Sequence, residues 1–242
     1  QAPAYLGIWD SKWGMVHQQI TGLVGKVWTV SFSPDGKRML TAGYHQTPTI
    51  WNVASGAIEA ELDGLSTHRV WFSRDGNYIA GLKGRFVDLW DANGLNRVRR
   101  IDVTDGDDDA GSTHCIAFSA DGKLFAVAGW GSVITLWSLP ACRHVGTLAG
   151  HRQTVLSLDF SPDGRRLASG SCDKTVRIWN VDSKREVMTF RDHPGWIWAV
   201  KFSPDGRTLA IGSSADAGHD TLSVWRAATE EDVQAAAEEQ ND

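Results

Sequence analysis

His151, Ser169 and Asp173 are the residue types of a hydrolytic triad, and they fall within one stretch of the chain. A serine nucleophile of the hydrolase kind sits on a sharp Gly-x-Ser-x-Gly turn that exposes its hydroxyl. Ser169 stands instead in Leu167-Ala168-Ser169-Gly170-Ser171, which has no such elbow. Asp105, Asp107, Asp108 and Asp109 crowd around Gly106 and are hard oxygen ligands of the sort Ca²⁺ takes, but the glycine and distal glutamate of an EF-hand loop are missing. The stretch reads as a solvated acidic connection. Gly22-Leu23-Val24-Gly25-Lys26 resembles a phosphate loop only faintly, because the spacing and the Ser/Thr are absent and a strand follows where a helix should. The eight histidines are scattered, with no second ligand at metal spacing. His68 and His114 could converge from neighbouring units, yet no third ligand accompanies them. No catalytic group, metal or cofactor is expected, and the protein reads as a non-enzyme.

What positions these residues is a repeat. Phe-Ser-x-Asp-Gly occurs five times, at Phe32, Phe72, Phe118, Phe160 and Phe202, in steps of 40, 46, 42 and 42. Each Phe is followed at 18 to 23 residues by a Trp: Trp51, Trp90, Trp137, Trp179 and Trp225. A period of about 40–45 residues marks one supersecondary unit stacked many times. Within a unit, Trp28–Phe32 alternates like a strand, Ser33-Pro34-Asp35-Gly36 is turn chemistry, and further strands end at Trp51 and cover 57–62. The same four-strand meander returns in each unit. Hairpins at such close spacing predict antiparallel sheet. Stacked face to face in a ring, such sheets bury both faces and protect their edges. The repeat Phe and Trp residues are expected to fill the space between sheets.

The fold expected is therefore all-β, with one repeat domain over residues 1–228. Its units centre on 26–62, 67–103, 113–148, 153–190 and 196–228, preceded by a partial unit in 1–22. Residues 4–10 and 15–22 read as the last two strands of that partial unit. Residues 229–242 form an acidic Ala/Glu-rich tail. Net charge is −5, and the tail accounts for six of the 29 acidic residues, which leaves a body near neutrality. A body without a basic stripe argues against a nucleic-acid partner. No apolar run approaches the ~18 residues of a membrane span, so no membrane association is expected. Cys115, Cys142 and Cys172 are odd in number and form no CxxC, as expected of free thiols in a reducing, cytoplasmic setting.

The stretch Gly150-His151 … Phe160-Ser161-Pro162-Asp163-Gly164 … Leu167-Ala168-Ser169-Gly170-Ser171 … Asp173 … Ile178-Trp179-Asn180 resembles the WD-repeat β-propeller family, and the resemblance runs over roughly residues 4–226. It implies four-stranded blades. It also implies a polar network inside a blade, carried here by His151, Ser169, Asp173 and Trp179, which turns the triad into mortar. The other units depart from that pattern. At the Asp position stand His45 and Gly131, only His193 matches the His, and the fifth unit carries an insertion at Ser213–Asp220. Those blades are expected to rest mainly on apolar packing. The family usually closes with seven blades, which need about 280–315 residues. Five full units and a partial one are thus expected to be part of a seven-bladed ring, completed by the rest of a longer protein or by another chain.

The resemblance further places the usual contact surface on one face, around the channel mouth. Its positions lie four and six residues before the repeat Phe and just before the network Asp. They nominate Trp28, Tyr44, His68, His114, Trp130, Trp196 and Trp198 as partner-binding residues. Clustered exposed aromatics suit protein-interaction hot spots and attract Lys, Arg or methyl-lysine by cation–π contact. The expected function is a non-catalytic scaffold, of the sort used in signalling, that binds a protein or peptide. The alternative is the regulatory portion of a larger bacterial enzyme such as a Ser/Thr kinase or protease.

Overall fold

The computed structural model describes residues 6–9, 12, 15–21, 23, 26–43, 47–65, 67, 69–104, 112–191, 193–215 and 220–226. Among them are 21 strands and no helix. A two-stranded sheet, β1 (Leu6–Trp9) and β2 (Val16–Ile20), comes first. Four four-stranded sheets follow. The first is β3 (Val27–Phe32), β4 (Arg38–Gly43), β5 (Thr49–Asn52) and β6 (Ile58–Glu61). The second is β7 (Val70–Phe72), β8 (Tyr78–Lys83), β9 (Phe86–Asp91) and β10 (Arg97–Asp102). The third is β11 (Thr113–Phe118), β12 (Leu124–Gly129), β13 (Val133–Ser138) and β14 (His144–Ala149). The fourth is β15 (Val155–Phe160), β16 (Arg166–Ser171), β17 (Val176–Asn180) and β18 (Arg185–Phe190). A fifth sheet holds β19 (Gly195–Phe202), β20 (Thr208–Ala215) and β21 (Asp220–Arg226). Every sheet is an antiparallel meander, and the five form a propeller arrangement.

The Phe-Ser-x-Asp-Gly turn explains why the first hairpin of each blade forms in register. In the fourth blade the Ser161 hydroxyl donates to Asp163 Oδ1 at 2.5 Å and accepts the Arg166 amide at 2.9 Å. Asp163 Oδ1 accepts the Arg165 amide at 3.0 Å, and Gly164 takes φ +72°, which a side chain would resist. The same bonds recur at Ser33/Asp35, Ser73/Asp75, Ser119/Asp121 and Ser203/Asp205. At Asp35, Asp121, Asp163 and Asp205 the serine hydroxyl bond is the main cause that holds the carboxyl below its ordinary value. Burial would raise Asp75, but bonds from Ser73 and Asn77 outweigh it, and it too is lowered. A carboxyl lowered on folding stabilises the fold above its unfolded value, and that contribution is lost as pH falls through the folded value. With all five turns acting together, the melting temperature is expected to drop between pH 5 and pH 3. Asp163→Asn, already uncharged, should flatten the curve. A melting temperature independent of pH over that window would contradict the role given to the turns.

The core lies between blades. The repeat Phe and Trp of one blade pack on the blade before it: Phe72 and Trp90 join Leu40 and Ile50, Phe118 and Trp137 join Leu82 and Leu89, and Phe160 and Trp179 join Ala126 and Leu136. The residue before each Trp faces the other way, toward the following blade; Ile50, Leu89, Leu136 and Ile178 are all buried there. This rule corrects the expectation that every repeat aromatic is core. Phe32 is 47% exposed, because β1 and β2 reach Trp51 on the same face of the first blade but not Phe32. Phe202 is only partly buried. Trp225 leans on Phe190 at 4.8 Å between ring centroids but stays largely exposed, and so does Trp9. Val224, which precedes Trp225, is 64% exposed where its four counterparts are buried.

Candidate functional site

The innermost strands β3, β7, β11, β15 and β19 surround a central cavity of about 690 Å³. In four of them the hairpin ladder slips by one residue at the same place. The slips fall between Val27 and Thr29, Thr113 and Cys115, Val155 and Ser157, and Ile197 and Ala199. The residues skipped by the ladder register are Trp28, His114, Leu156 and Trp198, the residues four before the repeat Phe. A bulge adds one residue to one strand and re-aims its side chain. These side chains are thereby turned out of the sheet pattern at the end of the strand that rims the cavity. Trp28 is 60%, Trp198 52% and Trp196 47% exposed, and Trp130, beyond β12, is 65% exposed. Trp130 stacks on His114 at 5.8 Å and 22°, and Trp196 tilts against Trp198 at 5.8 Å and 56°. Trp198 Nε1 donates to Ser214 Oγ at 2.8 Å, which fixes its ring. Thr154 Oγ1 donates to the Trp130 carbonyl at 3.4 Å and ties neighbouring blades together.

Of the seven nominated residues, Trp28 and His114 line the cavity, Trp130 stacks on His114, and Trp196 and Trp198 form a pair on β19 outside the cavity lining. Tyr44 and His68 lie outside the described residues, as does the Asp105–Asp109 stretch. Large indoles held at fixed angles offer flat apolar area and a negative ring face at small entropic cost. Cys115, which lines the cavity, is no nucleophile, since burial pushes its thiol up to about 12. Among the described residues no three His, Cys, Asp or Glu side chains group to hold a metal, and no helix is long and apolar enough to cross a membrane.

His151, Ser169, Asp173 and Trp179 meet inside the fourth blade. His151 Nδ1 is 2.9 Å from Asp173 Oδ2, His151 Nε2 is 2.7 Å from Ser169 Oγ, and Trp179 Nε1 donates to Ser169 Oγ at 2.8 Å. The indole N–H donates to a serine lone pair, the serine hydroxyl donates to His151 Nε2, and His151 Nδ1–H donates to the Asp173 carboxylate. Ser169 has no exposed surface, so no substrate reaches its oxygen. Burial would raise Asp173, but bonds from His151, Thr175 and the Arg152 amide prevail and hold it far below the usual carboxylate range.

Register shows why the other blades differ. Ser169 sits two residues beyond Leu167, the partner of Trp179. The corresponding residues are Thr41, Gly81, Val127 and Ile211. Trp51 Nε1 therefore finds Thr41 Oγ1 at 2.8 Å, while Trp137 turns to Thr135 Oγ1 at 3.0 Å. Opposite Trp90 there is only Gly81, and its buried Nε1 has no partner. That blade relies instead on Arg100, whose Nε and Nη2 grip the buried Asp88 at 2.8 and 2.7 Å. Trp179→Phe and Trp90→Phe remove similar ring volume, so their difference reports the indole bond. Trp179→Phe should cost about 1 kcal/mol more in chemical denaturation; equal losses would mean the network adds nothing to packing.

One group escaped the sequence reading. Asp159 is almost fully buried on β15 and accepts Arg74 Nη2 and Lys201 Nζ, both at 2.7 Å on Oδ1, and the Phe202 amide at 2.8 Å on Oδ2. The faint signal was Arg74 in a turn position where three repeats carry Pro.

The WD domain, G-beta repeat model matches residues 17–52, 103–138, 142–180 and 184–226, well over half of the chain. The unmatched stretch 53–102 contains the blade whose hydroxyl is replaced by Gly81, although the structure builds β7–β10 there. With meander blades around a cavity and an indole–serine–histidine–carboxylate chain in one of them, the protein belongs to the WD-domain, G-beta repeat family.

Proposed function

We propose that this protein is a non-catalytic scaffold that binds an extended protein or peptide segment across the aromatic rim formed by Trp28, His114, Trp130, Trp196 and Trp198. Propellers of this family generally serve as protein-interaction scaffolds. The observation that supports the reading is the repeated bulge, which takes the same repeat position out of the hairpin ladder in four blades and leaves Trp28 and Trp198 more than half exposed. Exposed tryptophans on a rigid frame are typical anchors of interaction hot spots, and ring faces favour a segment with Lys or Arg. Trp28→Ala and Trp198→Ala, each expected to leave the melting temperature within about 2 °C, should each weaken capture of the segment roughly tenfold or more. Unchanged capture with a large melting loss would show that these rings are core.

A second reading concerns the ring. The uncovered Leu222 and Val224 at one end and Val30 and Phe32 at the other are the positions that neighbouring blades bury elsewhere in the chain. Exposed apolar patches of this kind mark contact surfaces. This favours further blades, up to the seven usual in the family, from the rest of a longer protein or from another chain. Such a protein could be a regulatory propeller attached to an enzyme. Three cysteines free of disulfides suit a cytoplasmic setting for either.

A further inference from the structure

We propose that the floor of the central cavity is a binding site for a small oxyanion, a phosphate or carboxylate group, held between Arg74 and Lys201. The argument is one of charge and donors. Arg74, at the end of β7 next to the Phe72 turn, and Lys201, on β19, both line the cavity and both direct a nitrogen to the same oxygen of Asp159. Since each nitrogen is 2.7 Å from that oxygen, the two cationic nitrogens stand no more than about 5.4 Å apart by the triangle they form, with like charges that repel. One carboxylate faces two cations, so the cluster carries an excess positive charge. Asp159 already accepts three donors, two on Oδ1 and the Phe202 amide on Oδ2, and its single charge is shared between both cations. Arg74 and Lys201, by contrast, each make one side-chain hydrogen bond and retain donors. A third cation, Arg69, lines the same wall at the opposite end of β7. No other Asp or Glu lines the cavity among the described residues. A guanidinium and an ammonium across a walled space are the donor set that oxyanions take. The cavity, about 690 Å³, is of the size of small-ligand sites.

The site shares its cavity with Trp28 and His114 but draws its donors from Arg74 and Lys201, so it stands or falls independently of the segment proposed for the rim. Inorganic phosphate and acetate are the probes, titrated at pH 7.5 with ionic strength held constant by sodium chloride, and read by thermal shift and calorimetry. The expected result is saturable stabilisation by at least one of them beyond chloride. Phosphate alone points to a phosphate group as the natural ligand, and both together to a carboxylate as well. Lys201→Ala leaves Asp159 with Arg74 and the Phe202 amide, folds, and should weaken binding about tenfold. Asp159→Asn removes the competing carboxylate and should tighten binding about tenfold, which a purely structural cluster would not do. Trp198→Ala should leave anion binding unchanged. The proposal is overturned if neither anion exceeds chloride, or if Lys201→Ala binds like the parent. If Asp159→Asn fails to fold, the Lys201→Ala comparison decides.

Discussion

Arg74→Ala combined with Lys201→Ala will destabilise the fold by about 3–5 kcal/mol, more than the two single changes added together. Asp159 is 3% exposed at its side chain and sits where three blades meet across the cavity. With one cation gone, the other still occupies Oδ1, and the Phe202 amide still occupies Oδ2. Each single change should therefore cost no more than about 1–1.5 kcal/mol, the range of one exchanged hydrogen bond. With both gone, a buried carboxylate keeps one amide and no counter-charge, which is the expensive condition. Urea denaturation of the four proteins in a double-mutant cycle measures the coupling. Additive losses would mean that Asp159 is hydrated in the channel and that the cross-cavity cluster does not hold the blades together.

Trp179→Ala should cost about 3–5 kcal/mol. The ring is 1% exposed, fills the space between the third and fourth blades among Leu136, Leu148 and Phe160, and supplies the proton that starts the Ser169–His151–Asp173 chain. Its loss opens a cavity and frees a buried hydroxyl at the same time. Trp225→Ala, at the same repeat position, should cost under about 1.5 kcal/mol, since half of that ring already meets solvent. Equal losses would contradict the view that the repeat Trp stabilises in proportion to its burial.

That contrast marks what could be read from the sequence. The spacing of Phe32, Phe72, Phe118, Phe160 and Phe202 fixed where each first hairpin turns, because Ser, Asp and Gly satisfy the turn by themselves. The partners of Trp179 were legible through the resemblance carried by Gly150–Asn180, and the contacts found there satisfy a buried carboxylate and hydroxyl. Burial of Phe32 was misjudged because it depends on what stands in the preceding unit, which no residue of its own strand reports. The bulges at Trp28, His114, Leu156 and Trp198 left no local mark, since a one-residue slip in pairing shows only when two strands are laid side by side. Arg74 and Asp159 are 85 residues apart, and only the circular arrangement brings them together.

The most direct test of the aromatic rim as a docking surface is selection from a displayed random-peptide library on the immobilised protein, followed by affinity measurement for the parent, Trp28→Ala and Trp198→Ala. The account predicts that selected segments carry Lys or Arg, that both variants bind them at least tenfold more weakly, and that both melt like the parent. Segments that bind all three proteins alike would place recognition elsewhere on the molecule and contradict it.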